Sequence, residues 1–300
     1  MIRQEYLEQA GLLISILPFI AEEKCFALKG GTAINLFYQN LPRLSVDIDL
    51  AYIYFDTRDE AYKNINNALE RINSRLNKTG CKAFIRGSLE KKILCVNEKA
   101  AVKIEPNYTI RGCAEPPNTL ALCSRAEELF GYTECNVLSK IETYGGKICA
   151  ALDRQHPRDL FDVYQLFEHN QFNDDIIKGF IVMLLSSPRP VFEILNPNIL
   201  NQEKVFASEF QGMTDFVFTY KQHIETLKNL IDTVQSKVKS NYKDFLLDFV
   251  SLTSDLKITG ITNLDKLPAI KWKVQNLEKL NSINPDKFKK EYREIKKILD

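Results

Sequence analysis

The spacing of apolar residues switches between the period of a helix and that of a strand over the first 123 residues. Apolar positions three or four residues apart predict helices over 1–22, 32–39 and 59–78. Alternating or short apolar runs predict strands over 25–28, 45–55, 81–86, 92–96 and 101–105, and a short extended segment over 119–123. This mixture predicts an α/β (α+β) fold in which helices flank a mixed sheet.

After residue 126 the helical period continues almost to the end of the chain. Turn-forming residues interrupt it at 186–190 and at 196–197. We therefore predict two domains, a sheet-containing domain at 1–170 and a helical C-terminal domain at 171–300.

Composition places the chain among ordinary soluble proteins, with 45% hydrophobic and 26% charged residues. The apolar run Leu12–Ile20 is too short to span a bilayer, and no export signal is recognised, so we predict a cytoplasmic protein that does not bind membranes. Seven cysteines without a Cys-x-x-Cys spacing argue against a zinc site or a disulfide scaffold.

Charge is uneven along the chain. Residues 221–300 hold 16 Lys and Arg against 11 Asp and Glu, although the whole chain carries a net charge of only +1. Lysines at helical spacing in this last part fit contact with a phosphate backbone or a solvated helix face equally well.

Two carboxylates one residue apart are the first candidate for chemistry. In a strand, residues i and i+2 point to the same side, so Asp47 and Asp49 face one way while Val46, Ile48 and Leu50 face the core. Two carboxylates on a rigid strand can bind Mg²⁺, which in turn holds the phosphates of a nucleoside triphosphate.

A glycine turn precedes this strand. Gly30 and Gly31 follow the predicted strand 25–28 and lead into a helix that begins at Thr32. Glycines let the backbone approach a ligand closely, and free N–H groups at a helix start favour anions. Taken singly, the turn and the acidic pair are typical of ordinary structure; in this order they favour a triphosphate site.

Glu105 is a candidate third carboxylate. It lies on the strand 101–105 and could join Asp47 and Asp49 in holding a metal ion. The alternative is an exposed strand residue beside Pro106.

A second group of charged residues follows a second pair of glycines. Lys147, Arg154, Arg158, Asp159 and Asp162 fall within about four helical turns. The cations could neutralise charge on the phosphates during transfer, or hold Asp159 in place. The alternative is a structural ion-pair network between two helices.

With these residues in view, the sequence resembles the AbiEii/AbiGii family of nucleotidyltransferase toxins, also called MenT-like toxins, of the polymerase-β-type nucleotidyltransferase superfamily. The resemblance is carried by the segments 29–33, 41–50 and 147–162. It implies a nucleotidyltransferase domain, a helical lobe and a basic cleft between them.

The resemblance also implies roles for individual residues. The nucleotide-binding residues it implies are Gly30, Gly31, Thr32, Arg43, Ser45, Lys147 and Arg154. The catalytic residues it implies are Asp47 and Asp49, which would bind Mg²⁺ or Mn²⁺, together with Lys147 and with Asp159 or Asp162. Glu105 stays the candidate third metal ligand because of its place on the strand. Lys140 is an alternative for the lysine role.

The implied biology is that of a type IV toxin–antitoxin system. The toxin would move a nucleoside monophosphate from a nucleoside triphosphate to RNA, at the 3′ end of tRNA, and so block translation and growth. The antitoxin would be of the AbiEi type and act without a stable complex. Two alternatives remain open: transfer to a protein hydroxyl, and a nucleotide-binding module without catalysis.

Overall fold

The structure is a computed structural model that describes residues 2–300. The chain divides into two units of dense internal packing. The strand unit consists of the chain up to Thr143 together with Gln211–Val217. The helical unit consists of Tyr144–Phe210 and Phe218–Asp300. The boundary after residue 170 stays a prediction, because dense packing does not show which segments fold independently.

A seven-stranded mixed sheet forms the centre of the strand unit. Its strands are β1 (Phe26–Lys29), β2 (Asp47–Tyr52), β3 (Lys82–Arg86), β4 (Lys92–Val96), β5 (Ala101–Arg111), β6 (Asn118–Ala121) and β7 (Glu134–Val137). They lie in the order β3-β4-β5-β2-β1-β7-β6, with β1–β7 and β2–β5 parallel and the other pairs antiparallel. The predicted fold class, a mixed sheet with flanking helices, is confirmed.

Helices of the strand unit cover this sheet. They are α1 (Gln4–Ala21), α2 (Gly30–Ala33), which continues as a π-helical turn (Ile34–Tyr38), α3 (Arg58–Leu76) and α4 (Ser124–Phe130). Leu13 and Leu17 of α1 and Ile65 of α3 share one buried core with Ile48 and Leu50 of β2. The apolar face of β2 is therefore fixed, which leaves its other face for polar residues.

The helical unit contains the remaining helices. They are α5 (Lys140–Arg154), whose first residues up to Thr143 belong to the strand unit, α6 (Pro157–Glu168), α7 (Asp174–Ser186), α8 (Val191–Leu195), α9 (Glu203–Glu209), α10 (Tyr220–Asn241), α11 (Lys243–Val250), α12 (Pro268–Ile283) and α13 (Pro285–Leu299). Two short 3₁₀ turns lie at Leu256–Thr259 and Leu264–Lys266. The predicted breaks at 186–190 and 196–197 coincide with the ends of α7 and α8.

The prediction of helix from residue 126 onward is wrong at β7. This strand pairs in parallel with β1 through Leu28 and Val137, and antiparallel with β6. Cys135 and Val137 are its buried residues. Two apolar positions are too few to distinguish the period of a strand from that of a helix, so only the sheet context decides the conformation.

Strand β5 is longer than predicted. The sequence pattern ends it before Pro106, but it continues to Arg111. Pairing with β4 stops at Ile104, whereas pairing with β2 goes on through Leu50 and Pro106. Beyond Ile104 one side of β5 has no neighbouring strand in the described sheet, so the N–H that proline lacks is not required there.

The boundaries near the acidic strand also shift. The helix predicted from Thr32 begins at Gly30, and the strand predicted over 45–55 is limited to β2. Within residues 2–300, no helix combines the length and apolar character needed to cross a membrane.

Candidate functional site

The glycine turn packs directly against the acidic strand. Gly30 has a φ of +67°, and a Cβ built on it would lie 2.6 Å from Oδ2 of Asp49. A Cβ on Gly31 would lie 2.6 Å from Nη2 of Arg43 and 3.5 Å from Oγ of Ser45. The backbone conformation of Gly30 favours glycine, and at both positions an added Cβ would force the end of a polar side chain to shift. We call Gly30, Gly31, Thr32, Arg43, Ser45, Asp47 and Asp49 the turn cluster.

Buried hydroxyl and amide groups hold the turn cluster together. Thr32 Oγ1 donates to the carbonyl oxygen of Asp47 at 2.5 Å and lies 2.8 Å from Ser45 Oγ. Because Thr32 has one hydroxyl hydrogen, Ser45 is the donor in the second bond. Asn35, which sequence reasoning missed, donates its side-chain N–H to the carbonyl oxygen of Gly31 at 2.9 Å. A polar residue within the apolar stretch of that helix was the available signal.

A second missed element supports the loop before β2. The segment 211–217, remote in sequence, belongs to the strand unit. The N–H of Leu44 donates to the carbonyl oxygen of Met213 at 2.8 Å, and the Thr214 hydroxyl donates to that of Pro42 at 2.6 Å. The loop that carries Arg43 and Ser45 is thereby held on both sides of Arg43. No local sequence pattern predicts a contact between segments so far apart in the chain.

The predicted alternation along β2 is confirmed. Ile48 and Leu50 are fully buried, whereas Asp47 and Asp49 are partly exposed. In the register of the sheet, Asp49 lies beside Lys29 of β1 and Glu105 of β5. Residues directly opposite each other on neighbouring strands share a face, so the acidic strand has a cation on one side and a carboxylate on the other.

Glu105 is adjacent to Asp49 in register but has a partner of its own. Its Oε1 accepts a hydrogen bond from Lys92 Nζ at 2.9 Å, and its side chain is 39% exposed. A third-ligand role for Glu105 stays a prediction.

The donor set of β2 suits a divalent cation bound together with phosphates. Mg²⁺ is commonly held by one or two carboxylates plus substrate phosphates. Asp47 and Asp49 supply two carboxylates on one strand face, beside a turn without side chains. Across the described chain, no three His, Cys, Asp or Glu side chains are grouped as a complete metal site. The residues therefore fit an ion that shares its coordination with a nucleotide.

The second predicted group lies within the helical unit and is tightly paired. Lys147 Nζ is 2.6 Å from Asp159 Oδ1 and 3.0 Å from Asp162 Oδ2. Arg154 donates to both oxygens of Asp159, from Nε at 2.6 Å and from Nη2 at 3.1 Å. Both aspartates are 1% exposed, whereas the Arg154 side chain is 63% exposed. We call these four residues the ion-pair cluster.

Burial and pairing act on the Asp159 carboxyl in opposite directions. Burial by itself raises its pKa, but the charges and hydrogen bonds of Lys147 and Arg154 outweigh this and hold the pKa well below its usual range. Asp159 also lies in the first turn of α6, where a negative charge is favoured. It is therefore ionised at neutral pH.

The turn between α5 and α6 has its own supports. Gln155 adopts a positive φ of 52°, and its side chain is anchored on both Asn198 and Leu200 at 2.7 and 2.8 Å. His156, to which the sequence assigned no role, accepts the N–H of Arg158 at Nδ1 and so caps α6. These contacts fix the entry of the helix that carries both buried aspartates.

The structure thus brings the predicted residues together in two groups, each within its own unit. Gly30, Gly31, Thr32, Arg43, Ser45, Asp47 and Asp49 form the first, and Lys147, Arg154, Asp159 and Asp162 the second. Lys140, the alternative lysine, is the first residue of α5 and belongs to the strand unit. The catalytic and binding roles of all these residues stay predictions.

Comparison with known proteins identifies the family of the chain. Residues 12–276 match the family described as nucleotidyl transferase AbiEii toxin, type IV toxin–antitoxin system. A similar solved structure is MenT4, a nucleotidyltransferase toxin from Mycobacterium tuberculosis H37Rv, with 14% identity, a TM-score of 0.48 and coverage of 77% of this chain and 95% of that one. No curated protein matches the chain. Because the family match spans most of its length, the chain belongs to the AbiEii family of nucleotidyltransferase toxins of type IV toxin–antitoxin systems.

Proposed function

We propose that this chain transfers a nucleoside monophosphate from a nucleoside triphosphate to RNA, at the 3′ end of tRNA, and so arrests growth. The observation that carries the proposal is the contact of the glycine turn with the acidic strand, where the missing side chain of Gly30 makes room for the Asp49 carboxylate. A nucleotidyltransferase needs phosphate-binding backbone and metal-binding carboxylates at one point, and this contact supports the proposal because it puts a glycine turn beside a carboxylate.

In this proposal the turn cluster binds the triphosphate. Gly30 and Gly31 carry no side chain of their own, so their backbone can approach a phosphate closely. Asp47 and Asp49 would hold Mg²⁺ or Mn²⁺, which would neutralise phosphate charge and activate the acceptor hydroxyl. Thr32 and Ser45 position the start of β2 through their shared hydrogen bonds.

We further propose that Lys147 and Arg154 contribute positive charge to triphosphate binding, while Asp159 and Asp162 keep these cations in place. Arg154 has most of its side chain exposed although Asp159 holds two of its nitrogens. A guanidinium fixed on one edge is well suited to phosphate recognition on another.

The test is a labelling assay with purified protein. Each α-labelled nucleoside triphosphate is incubated with total tRNA and a protein extract, with Mg²⁺, with Mn²⁺ or with EDTA, and the 3′ ends of the tRNA are then sequenced. We expect label on tRNA, dependence on the divalent ion, and added nucleotides at the 3′ end. Label on protein alone would instead support nucleotidylation of protein.

Matched variants assign the residues. We expect Asp47→Asn and Asp49→Asn to lower transfer at least about 100-fold, the scale on which loss of one charge-stabilising group acts, without unfolding the protein. Glu98→Gln removes an exposed carboxylate from the β4–β5 hairpin and serves as control. Undiminished transfer by both aspartate variants would refute the proposed site.

Growth provides a second readout. Induced expression of the wild-type chain should arrest growth, co-expression of an AbiEi-type antitoxin should relieve the arrest, and Asp47→Asn should be harmless at equal protein level. If an Asp47→Asn protein without transferase activity still arrested growth, the toxicity would not depend on the proposed nucleotidyl transfer.

A further inference from the structure

The helical unit contains a cavity that the nucleotidyl-transfer proposal does not use. It has a volume of about 440 Å³ and lies between the segment 188–193, α12 and α13. Phe192, Leu277 and Leu280 give it an apolar lining. Sites for small organic ligands are roughly 300–1,000 Å³ and mostly apolar, with a few polar groups that fix orientation. We call it the Trp272 pocket, after the aromatic residue in its lining.

Trp272 is the single tryptophan of the chain and lines this pocket. It is 49% exposed. Tryptophan is normally buried well because its large surface contributes strongly to stability, so a half-exposed indole in a cavity offers a flat apolar surface to a ligand. Aromatic side chains in such settings stack on nucleobases.

Most charged groups that line the pocket are engaged with the protein itself. Arg189 pairs with Asp153 at 2.8 Å and with Glu193 at 3.4 Å. Lys273 is buried and donates to three backbone carbonyls at 2.9–3.1 Å. Glu291 is buried and accepts the N–H of Val191. None of these groups needs a ligand to satisfy its charge.

Two lysines of α13 differ from this pattern. Lys287 and Lys290 line the pocket with exposed side chains, and within residues 2–300 neither has a carboxylate partner. Lys287 lies beside Asp286 in the first turn of α13, where the helix dipole disfavours a cation. Their charge is available to a bound anion.

The same lysines also line a neighbouring cavity of about 470 Å³, together with Arg293 and the acidic residues Asp286 and Glu294. Three cations against two carboxylates leave a positive excess beyond the aromatic pocket, and such an excess suits the successive phosphates of a chain. Both lysines lie beyond residue 276, where the match to the AbiEii family ends.

We propose that the Trp272 pocket binds single-stranded nucleic acid, with one base against Trp272 and the adjoining phosphates against Lys287 and Lys290. This binding needs neither a nucleoside triphosphate nor a metal ion. It is therefore independent of the transfer reaction proposed above, and it survives if that reaction is not found.

Because Trp272 is the single tryptophan, its fluorescence reports this pocket without a label. The full chain is titrated in EDTA with a short oligoribonucleotide, the matching oligodeoxyribonucleotide, a nucleoside monophosphate, inorganic phosphate and polyglutamate. We expect quenching by the oligonucleotides at far lower concentration than by the monophosphate, and none by polyglutamate. A preference between the RNA and the DNA identifies the natural strand.

Variants locate the contacts by anisotropy of a labelled strand. Trp272→Ala should weaken binding roughly 5- to 150-fold, as loss of one base–aromatic stack does. Lys287→Gln/Lys290→Gln should make the salt dependence of binding shallower by about 1.4 in log K against log salt, as expected for two contacts to single-stranded phosphates. Lys279→Gln/Lys297→Gln removes the same charge from α12 and α13 outside the pocket lining and should change neither quantity.

Three results would overturn the proposal. One is strand binding that leaves Trp272 fluorescence unchanged. Another is equal loss of binding in both double-lysine variants, which would indicate general charge attraction. The third is quenching by polyglutamate at the concentration effective for RNA, which would point to an acidic peptide as occupant.

Discussion

The turn cluster and the ion-pair cluster contain the same residue types but use them differently. Each has two aspartates, at least one cation and a nearby pair of glycines. The aspartates of the turn cluster lie on one face of a strand and stay partly exposed. Those of the ion-pair cluster are 1% exposed and bonded to Lys147 at 2.6 and 3.0 Å. Partly exposed carboxylates can reach a ligand from solvent, whereas the buried carboxylates of the ion-pair cluster are enclosed with Lys147.

The two glycine pairs differ in the same way. In the turn cluster, both missing side chains make room for polar groups of the site, Asp49 and Arg43. In α5, Gly145 contacts the backbone of Gly179 in α7, and its neighbour Gly146 faces only ordinary contacts. Both glycines of the turn therefore lie against polar side chains, whereas in α5 only Gly145 is needed for close helix packing. The same residue pattern can therefore have different structural roles, which depend on its burial and on the groups it contacts.

The largest effect on stability is expected from Asp159. Asp159→Ala leaves the buried Lys147 with Asp162 as its remaining carboxylate and takes both hydrogen bonds from the exposed Arg154, so we expect the free energy of unfolding to fall by up to about 3–5 kcal/mol. Urea unfolding measures it. Asp153→Ala, which breaks an exposed pair with Arg189, should change little. Equal stability of both variants would contradict the contrast between buried and exposed pairs.

Gly30→Ala should lower the rate of nucleotidyl transfer. Its Cβ would push on the Asp49 carboxylate, and a displacement on the order of 1 Å in a catalytic group costs about 100-fold in rate. Gly80→Ala is the matched control, because Gly80 also has a positive φ, of +83°, but no atom lies within 4 Å of its Cβ position. Both variants should lose some stability, and only Gly30→Ala should lose activity. Retained activity in Gly30→Ala would show that Asp49 tolerates displacement.

The contrast also shows what could be predicted from the sequence. The alternation that exposes Asp47 and Asp49 is local, so the pattern of β2 predicts it. The buried partner of Asp159 proved to be Lys147, twelve residues away, because the α5–α6 turn folds one helix onto the other. The support that 211–217 gives to the loop before β2 depends on a contact between remote segments, and no periodicity encodes such a contact.

Gly145→Ala should destabilise the helical unit without touching the turn cluster. A Cβ there would lie 2.2 Å from the backbone carbonyl carbon of Gly179, so α5 and α7 would have to separate. Overpacking of this kind costs typically about 1–3 kcal/mol. Thermal unfolding together with nucleotide binding would check this, with binding retained below the transition. An unchanged midpoint would show that the two helices separate freely.

Acid should weaken the ion-pair cluster in a defined window. The folded-state pKa of Asp159 lies below its value of about 3.9 in unfolded chains, so its stabilisation is complete above that value and is lost as the pH falls. Over this range one such carboxylate contributes about 1.4 kcal/mol per pH unit to the slope. Urea unfolding between pH 5 and 3 should give a shallower slope for Asp159→Asn than for the wild type. Burial raises the pKa of Glu23, but Arg71 and Arg75 outweigh this and lower it. Glu23 contributes equally to the slopes of the wild type and of Asp159→Asn.

The smallest expected effect on stability, that of Gly146→Ala, distinguishes the two glycine pairs most clearly. Gly146 lies inside α5, and a Cβ on it would meet Met183 at 3.8 Å, an ordinary van der Waals distance. Alanine favours a helix over glycine, so Gly146→Ala should raise the free energy of unfolding by about 0.5–1 kcal/mol. Thermal and urea unfolding of Gly146→Ala and Gly145→Ala, measured side by side, test this. The free energy of unfolding should rise for the first variant and fall for the second. Neither position of the turn pair offers a Cβ the same space, because each Cβ would lie 2.6 Å from a polar side-chain atom that would have to shift. A destabilised Gly146→Ala would mean that both glycines of α5 are needed for packing, and the contrast with the turn pair would then rest on polar contact alone.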